Sequence, residues 1–211
     1  MAAVRHPHVA QIHGLETWCG VPVLVLEYMS GGMLNARLGH PMDVGEALDL
    51  TLALASGLEA VHGAGLLHRD VKPSNIGFDA NGTPRLLDFG LSRLSPSIEG
   101  PLDPSGQVGF GVGAAGTPLY MSPDVLAGAE PGPADDVWSV LVVLHECLAG
   151  VNPLRGLNRE SLRQRLTGAG FPPLGSTVPS SLASELSAAL RPGGCPRSAA
   201  ELRSFLLDVR A

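Results

Sequence analysis

The chain has 211 residues, 14 Lys+Arg against 20 Asp+Glu, a net charge of −6 and only 16% charged residues. An acidic, lightly charged surface argues against nucleic acid or an anionic membrane as partner, and 45% hydrophobic content supports a real core. Gly and Pro, 27 and 18 residues, are abundant but unperiodic, which excludes a collagen-like chain.

The N-terminus, Met1 to Pro7, lacks the apolar stretch of a signal peptide. Val21-Pro-Val-Leu-Val-Leu-Glu27 is β-branched and apolar and predicts a buried strand, ended by Ser30-Gly31-Gly32. Asp43, with Glu46 three residues on, has the form of a capping box and opens a helix. Its apolar positions Val44, Ala47, Leu48, Leu54, Ala55, Leu58 and Val61 keep a helical period, and Gly63 and Gly65 stop it. Two short strands, Ile76–Phe78 and Arg85–Leu87, flank Asn81-Gly82, a strong hairpin signal.

Residues 92–123 are rich in Ser, Gly and Pro without periodicity, as in a functional or mobile loop. Val137–Val151 is the most apolar run; it carries His145 and Glu146 and is too short to span a bilayer, so Ala134–Gly150 predicts a buried core helix. Residues 180–191 and 198–209 predict two short amphipathic helices, the last with Leu202, Phe205, Leu206 and Val209 on one face. Cys19, Cys147 and Cys195 are far apart and show no metal-ligand spacing, which points to a reducing, cytoplasmic compartment. His6, His8 and His13 are close together, but metal binding there is a minor reading.

The chemistry concentrates in His68-Arg69-Asp70-Val71-Lys72-Pro73-Ser74-Asn75, followed thirteen residues later by Asp88-Phe89-Gly90. Phosphoryl transfer needs positioning and charge neutralisation more than covalent chemistry. One carboxylate must orient the attacking hydroxyl and take its proton, one cation must offset phosphoryl charge, and two oxygen ligands must hold the hard ion Mg²⁺. Asp70, Lys72, Asn75 and Asp88 supply these roles in turn. The hairpin between Asn75 and Asp88 would fold the two metal ligands back beside each other.

At these residues the sequence resembles the protein kinase superfamily, in its eukaryotic-like Ser/Thr form found also in bacteria. Further matches follow in order. Gly116-Thr117-Pro118-Leu-Tyr120-Met-Ser122-Pro123-Asp124 resembles the end of an activation segment, and Asp136-Val137-Trp138-Ser139 the start of the helix that anchors the catalytic loop. Arg197 to Leu202 resembles the C-terminal Arg motif, and Val25 to Met29 the hinge between lobes. The resemblance implies that the backbones of Glu27 and Met29 meet adenine, that Leu26 guards the back pocket, and that Thr117 helps align Asp70 and Lys72. It also implies a structural role for His68 near Phe89, and makes Ser92, Ser95, Ser97 and Ser105 possible phosphorylation sites to which Arg69 could respond.

The sequence departs from the family in four places. No Gly-x-Gly-x-x-Gly precedes the other motifs; Gly111-Val-Gly113-Ala-Ala-Gly116 fits the pattern but lacks the strand–turn context of a phosphate loop. The Lys that anchors ATP and its Glu partner would lie before Met1. Asp124 stands where the family has a Glu that pairs with the C-terminal Arg, here Arg197; Asp keeps the charge on an arm one methylene shorter, and retention of both charges implies a lower lobe that stays folded. Gly77 stands where the family has a bulky residue under adenine, so the base would lose packing.

The expected fold is therefore α+β and protein-kinase-like, with residues 1–28 a remnant of the upper lobe and hinge strand and 29–211 a near-complete helical lower lobe. The expected activity is transfer of the ATP γ-phosphoryl to Ser or Thr of a protein substrate with ATP and Mg²⁺, and without nucleic acid or membrane partners. Met1 would then be an internal residue of a longer chain, and the 211 residues alone are expected to be weak or inactive. The alternatives are a truncated kinase-like binding module without catalysis and, disfavoured by the motifs, a small-molecule phosphotransferase.

Overall fold

A computed structural model describes residues 4–88 and 118–210. Two antiparallel hairpins stand before and after the first long helix: β1 (Ile12–Trp18) pairs with β2 (Val21–Leu26), and β3 (Ile76–Phe78) with β4 (Pro84–Leu86). The helices are α1 (Val44–Gly63), α2 (Pro123–Leu126), α3 (Pro133–Ala149), α4 (Arg159–Thr167), α5 (Ser180–Ala189) and α6 (Ala199–Arg210). None of the described helices is long and apolar enough to cross a membrane.

The α1 start is set by Asp43, whose carboxylate accepts from the amides of Gly45 and Glu46. Only this half of the expected capping box forms. Along α1 the apolar residues face α3 and α6, and Leu54, Leu58, Leu141 and Leu144 are fully buried. The predicted core helix is confirmed as α3, which is buried nearly all round because other helices surround it. It ends at Gly150 with φ +79, where a Cβ would lie 2.6 Å from the His40 carbonyl carbon, so only glycine suits that close approach.

The buried strand expected at 21–27 does form, but it is not buried. Trp18 is 75% exposed and Tyr28 82%, and Leu15, Val21, Val23 and Val25 are exposed too. An apolar β-branched run reports strand propensity, whereas burial depends on what packs against the hairpin, and no described element covers it. β1 itself carries Gly14 and no clean alternation, so nothing in its sequence predicted it; α4, mostly polar with only Leu162 and Leu166 buried, was equally silent.

The expected Asp124–Arg197 pair is not formed. Both side chains are exposed and no ion pair among the described residues joins them. Asp124, one methylene shorter than Glu, sits in the first turn of α2, while the Arg197 backbone amide donates to Glu201. The junction is held instead by Ser122, whose hydroxyl caps α2 through Val125 N and donates to Asp135 at 2.5 Å.

Two buried histidines give the fold a pH dependence. Burial lowers the imidazole pKa of both His68 and His145. As pH falls through about 6.5 the unfolded chain takes up these protons and the folded chain does not, so acid favours unfolding. The urea midpoint is expected to be flat above about pH 7.5 and to fall between about pH 7 and 5.5. A midpoint constant over that interval would contradict the assignment.

Candidate active site

The 68–75 loop is fastened from below by α3. The buried carboxylate of Asp136 accepts from the amide of His68 at 2.8 Å and that of Arg69 at 2.7 Å, and His62 Nε2 lies 2.8 Å from the same group. This clamp holds Arg69 at φ +68, a conformation L-residues rarely adopt. The loop therefore turns sharply just before Asp70. His68 itself is buried, and its Nδ1 accepts from the Asp70 amide at 3.3 Å, consistent with a structural role.

Above the clamp the polar residues converge. Asp70 Oδ2 lies 2.7 Å from Lys72 Nζ. Asn75 Nδ2 donates to both the backbone oxygen and Oδ2 of Asp70, each at 2.9 Å. With its NH₂ group so engaged, the amide oxygen of Asn75 has no partner among the described residues and remains as the acceptor of that side chain.

The β3–β4 hairpin then brings Asp88 to Asn75. Ile76 pairs with Leu86, and one step beyond that pair Leu87 N donates to Asn75 O at 2.9 Å. Asp88 follows directly, at φ +60, so both expected metal ligands lie at one end of the hairpin. The hairpin turn is fixed by Asp79, which accepts from the amides of Asn81 and Thr83. Those bonds and Arg85 hold its carboxyl down to about 2.

The residues expected at the hinge, Leu26 to Met29, come earlier in the chain. Leu26 is half-buried at the end of β2, opposite Ile12. The Glu27 carboxylate accepts from Gln11 N at 3.1 Å and meets Arg85 Nε at 3.3 Å, which pins the strand end to β4. Met29 is buried against Gly77, so the space expected to be lost under the base at position 77 is filled. Thr117, Phe89, Gly90, the run Gly111–Gly116 and Ser92, Ser95, Ser97 and Ser105 lie outside the described residues.

Two groups escaped sequence reasoning. His62 joins the Asp136 clamp from the last turn of α1; its only signal was a histidine six residues before His68. Glu146, buried in α3, accepts from Tyr120 OH at 2.6 Å and so ties the 118–120 turn to the core, together with a bond from Ser139 Oγ to Tyr120 O. Burial and the neighbouring carboxylate push the Tyr120 phenol up, so it stays a donor. A charged residue within the most apolar run was the available clue. Of the three early histidines, His6 bonds Ser56 and His8 bonds the Pro84 carbonyl, and no described set of three His, Cys, Asp or Glu side chains could hold a metal.

An acid, a lysine and an amide on one loop, with a second acid delivered by a hairpin, match the donor set that phosphoryl transfer needs. A family comparison agrees: the protein kinase domain profile matches residues 1–187. The chain belongs to the protein kinase domain family. Among curated relatives, the serine/threonine-protein kinase PknK of Mycobacterium tuberculosis is 33% identical over 97% of this chain. The serine/threonine-protein kinase pkn2 of Myxococcus xanthus is 36% identical over 82% of it, and the CBL-interacting serine/threonine-protein kinase 21 of Arabidopsis thaliana 34% identical over 82%. The chain spans 18%, 21% and 40% of the length of these three proteins. Membership of the family implies ATP as phosphoryl donor and, usually, Mg²⁺.

Proposed function

We propose that the chain is the catalytic domain of a protein serine/threonine kinase, with residues 1–28 as upper-lobe and hinge elements and 29–211 as the lower lobe. The observation that carries this reading is the Asp70 carboxylate, held between Lys72 at 2.7 Å and Asn75 at 2.9 Å on a loop clamped by Asp136. In this reading Asp70 orients the substrate hydroxyl and accepts its proton as the oxygen–phosphorus bond forms and the bond to the β-phosphate oxygen breaks. Lys72 offsets charge on the moving phosphoryl group. The donor set fits Mg²⁺: the amide oxygen of Asn75 and the carboxylate of Asp88 are hard oxygen ligands. Bound there, the ion would neutralise phosphate charge. Thr117 is assigned the alignment of Asp70 and Lys72 by its position in the motif.

The hinge fits an adenine base. Among the described residues neither the Glu27 carbonyl nor the Met29 amide is engaged in a hydrogen bond, which leaves an acceptor and a donor for the base edge. The substrate is a protein with a Ser or Thr acceptor, since Lys two residues after Asp70 is the Ser/Thr form of the motif.

The test is transfer of labelled γ-phosphate by the full-length natural protein to mixed peptides carrying Ser, Thr or Tyr. Phosphoserine or phosphothreonine is expected, with no phosphotyrosine and with loss of signal on chelation of Mg²⁺. Absence of any transfer at saturating ATP and Mg²⁺ would sink the enzyme and leave the binding-module reading.

A further inference from the structure

In β3, Ile76 and Phe78 carry bulky side chains and Gly77 between them carries none. A Cβ built on Gly77 would lie 2.3 Å from Cγ of Met29, 2.8 Å from its Cβ and 2.9 Å from its Sδ. The Met29 side chain therefore takes the volume that a residue at 77 would fill, from a different segment of the chain. Its place there is fixed by backbone. Gly31 N donates to Phe78 O at 2.9 Å, Phe78 N to Gly32 O at 2.9 Å, and Gly32 N to Met29 O at 3.0 Å, while Met33 bridges Gly77. The segment after Met29 thus lies along β3 as a partial third strand, which carries Met29 onto Gly77.

Two properties meet at this one residue. Met29 offers a free amide among the described residues, and its thioether covers the strand just beside that amide. Thioethers pack well against flat aromatic rings and adapt to irregular gaps. A side chain anchored on β3 itself would be stiffer. We infer that the Met29 side chain, seated on Gly77, is the apolar floor under the nucleotide base, in place of the side chain that position 77 lacks. This rests on the nucleotide-binding reading above. Gly77 and Met29 are then a matched pair: bulk at 77 displaces the floor, and loss of bulk at 29 removes it.

The test is a titration with adenosine of protein labelled with ¹³C at the methionine methyls, followed by NMR. The Met29 methyl, assigned from its loss in Met29→Leu, is expected to shift more than those of Met33, Met42 and Met121. Gly77→Leu is expected to weaken adenosine binding at least about tenfold through the clash with Met29. Adding Met29→Ala to Gly77→Leu is expected to restore the affinity to within about twofold of the unsubstituted protein. An unmoved Met29 methyl with adenosine bound would overturn the inference, and so would a failure to bind adenosine at all. If the double variant does not fold, the methyl titration of the unsubstituted protein still decides. Adenosine binding through Met29 without phosphoryl transfer would uphold this floor and fail the proposed activity; transfer with Met29 silent would do the reverse.

Discussion

Asp70→Asn is expected to lower kcat for peptide phosphorylation about 10²- to 10⁴-fold, the usual contribution of a positioned general base. The urea midpoint is expected to stay nearly unchanged. Asp70 is only partly buried and its pair with Lys72 has side chains 31% and 22% exposed, a setting in which an ion pair adds little to stability. The bond from Asn75 Nδ2 to the Asp70 backbone oxygen survives the substitution, so the loop keeps its shape. Steady-state kinetics of the full-length protein beside a denaturation curve would check both halves. A kcat within about threefold of the unsubstituted protein would remove Asp70 from the base role.

Asp136→Ala is expected to do the opposite: it should lower folding stability by about 3–5 kcal/mol, as removal of one member of a buried polar set does. Asp136 is 2% exposed and satisfies the amides of His68 and Arg69 as well as His62. Without it those buried donors lose their acceptor, and nothing holds Arg69 at φ +68. Asp136→Asn keeps one acceptor oxygen but turns an NH₂ toward donors, so it should fall between. Asp124→Ala provides the contrast, because that carboxylate is exposed and joins no described ion pair; its effect is expected within about 0.5 kcal/mol. Equal losses from the two alanine variants in chemical denaturation would refute the clamp.

The candidate site residues were legible because they sit on one short loop and one hairpin, where sequence spacing nearly fixes spatial spacing. Asp70, Lys72 and Asn75 fall within six residues, and Asn81-Gly82 announces the turn that returns Asp88 to them. Helix α1 was legible by its period and glycine stops, and α3 as the most apolar run of the chain. The unread parts all depend on tertiary neighbours. Exposure of β2 depends on what packs on it, and the partner of Asp124 depends on a reach of one methylene. The function of His62 depends on a carboxylate 74 residues away. Gly77 looked like a loss of packing because its substitute, Met29, lies 48 positions earlier and meets it only through the backbone bonds around Gly31 and Gly32.

The turn that joins β1 to β2 gives the protein a built-in attachment point for a reporter. Cys19, at φ +50 beside Gly20, carries an exposed thiol at the tip of that hairpin. Burial pushes the thiols of both Cys147 and Cys195 up to about 12, so at neutral pH they are protonated and poor nucleophiles. A maleimide dye added to the native chain will therefore mark position 19 first. Without any engineered cysteine, a fluorophore there sits on the hairpin that leads through β2 to Glu27 and Met29, where a change in its emission on adding nucleotide would test the proposed site.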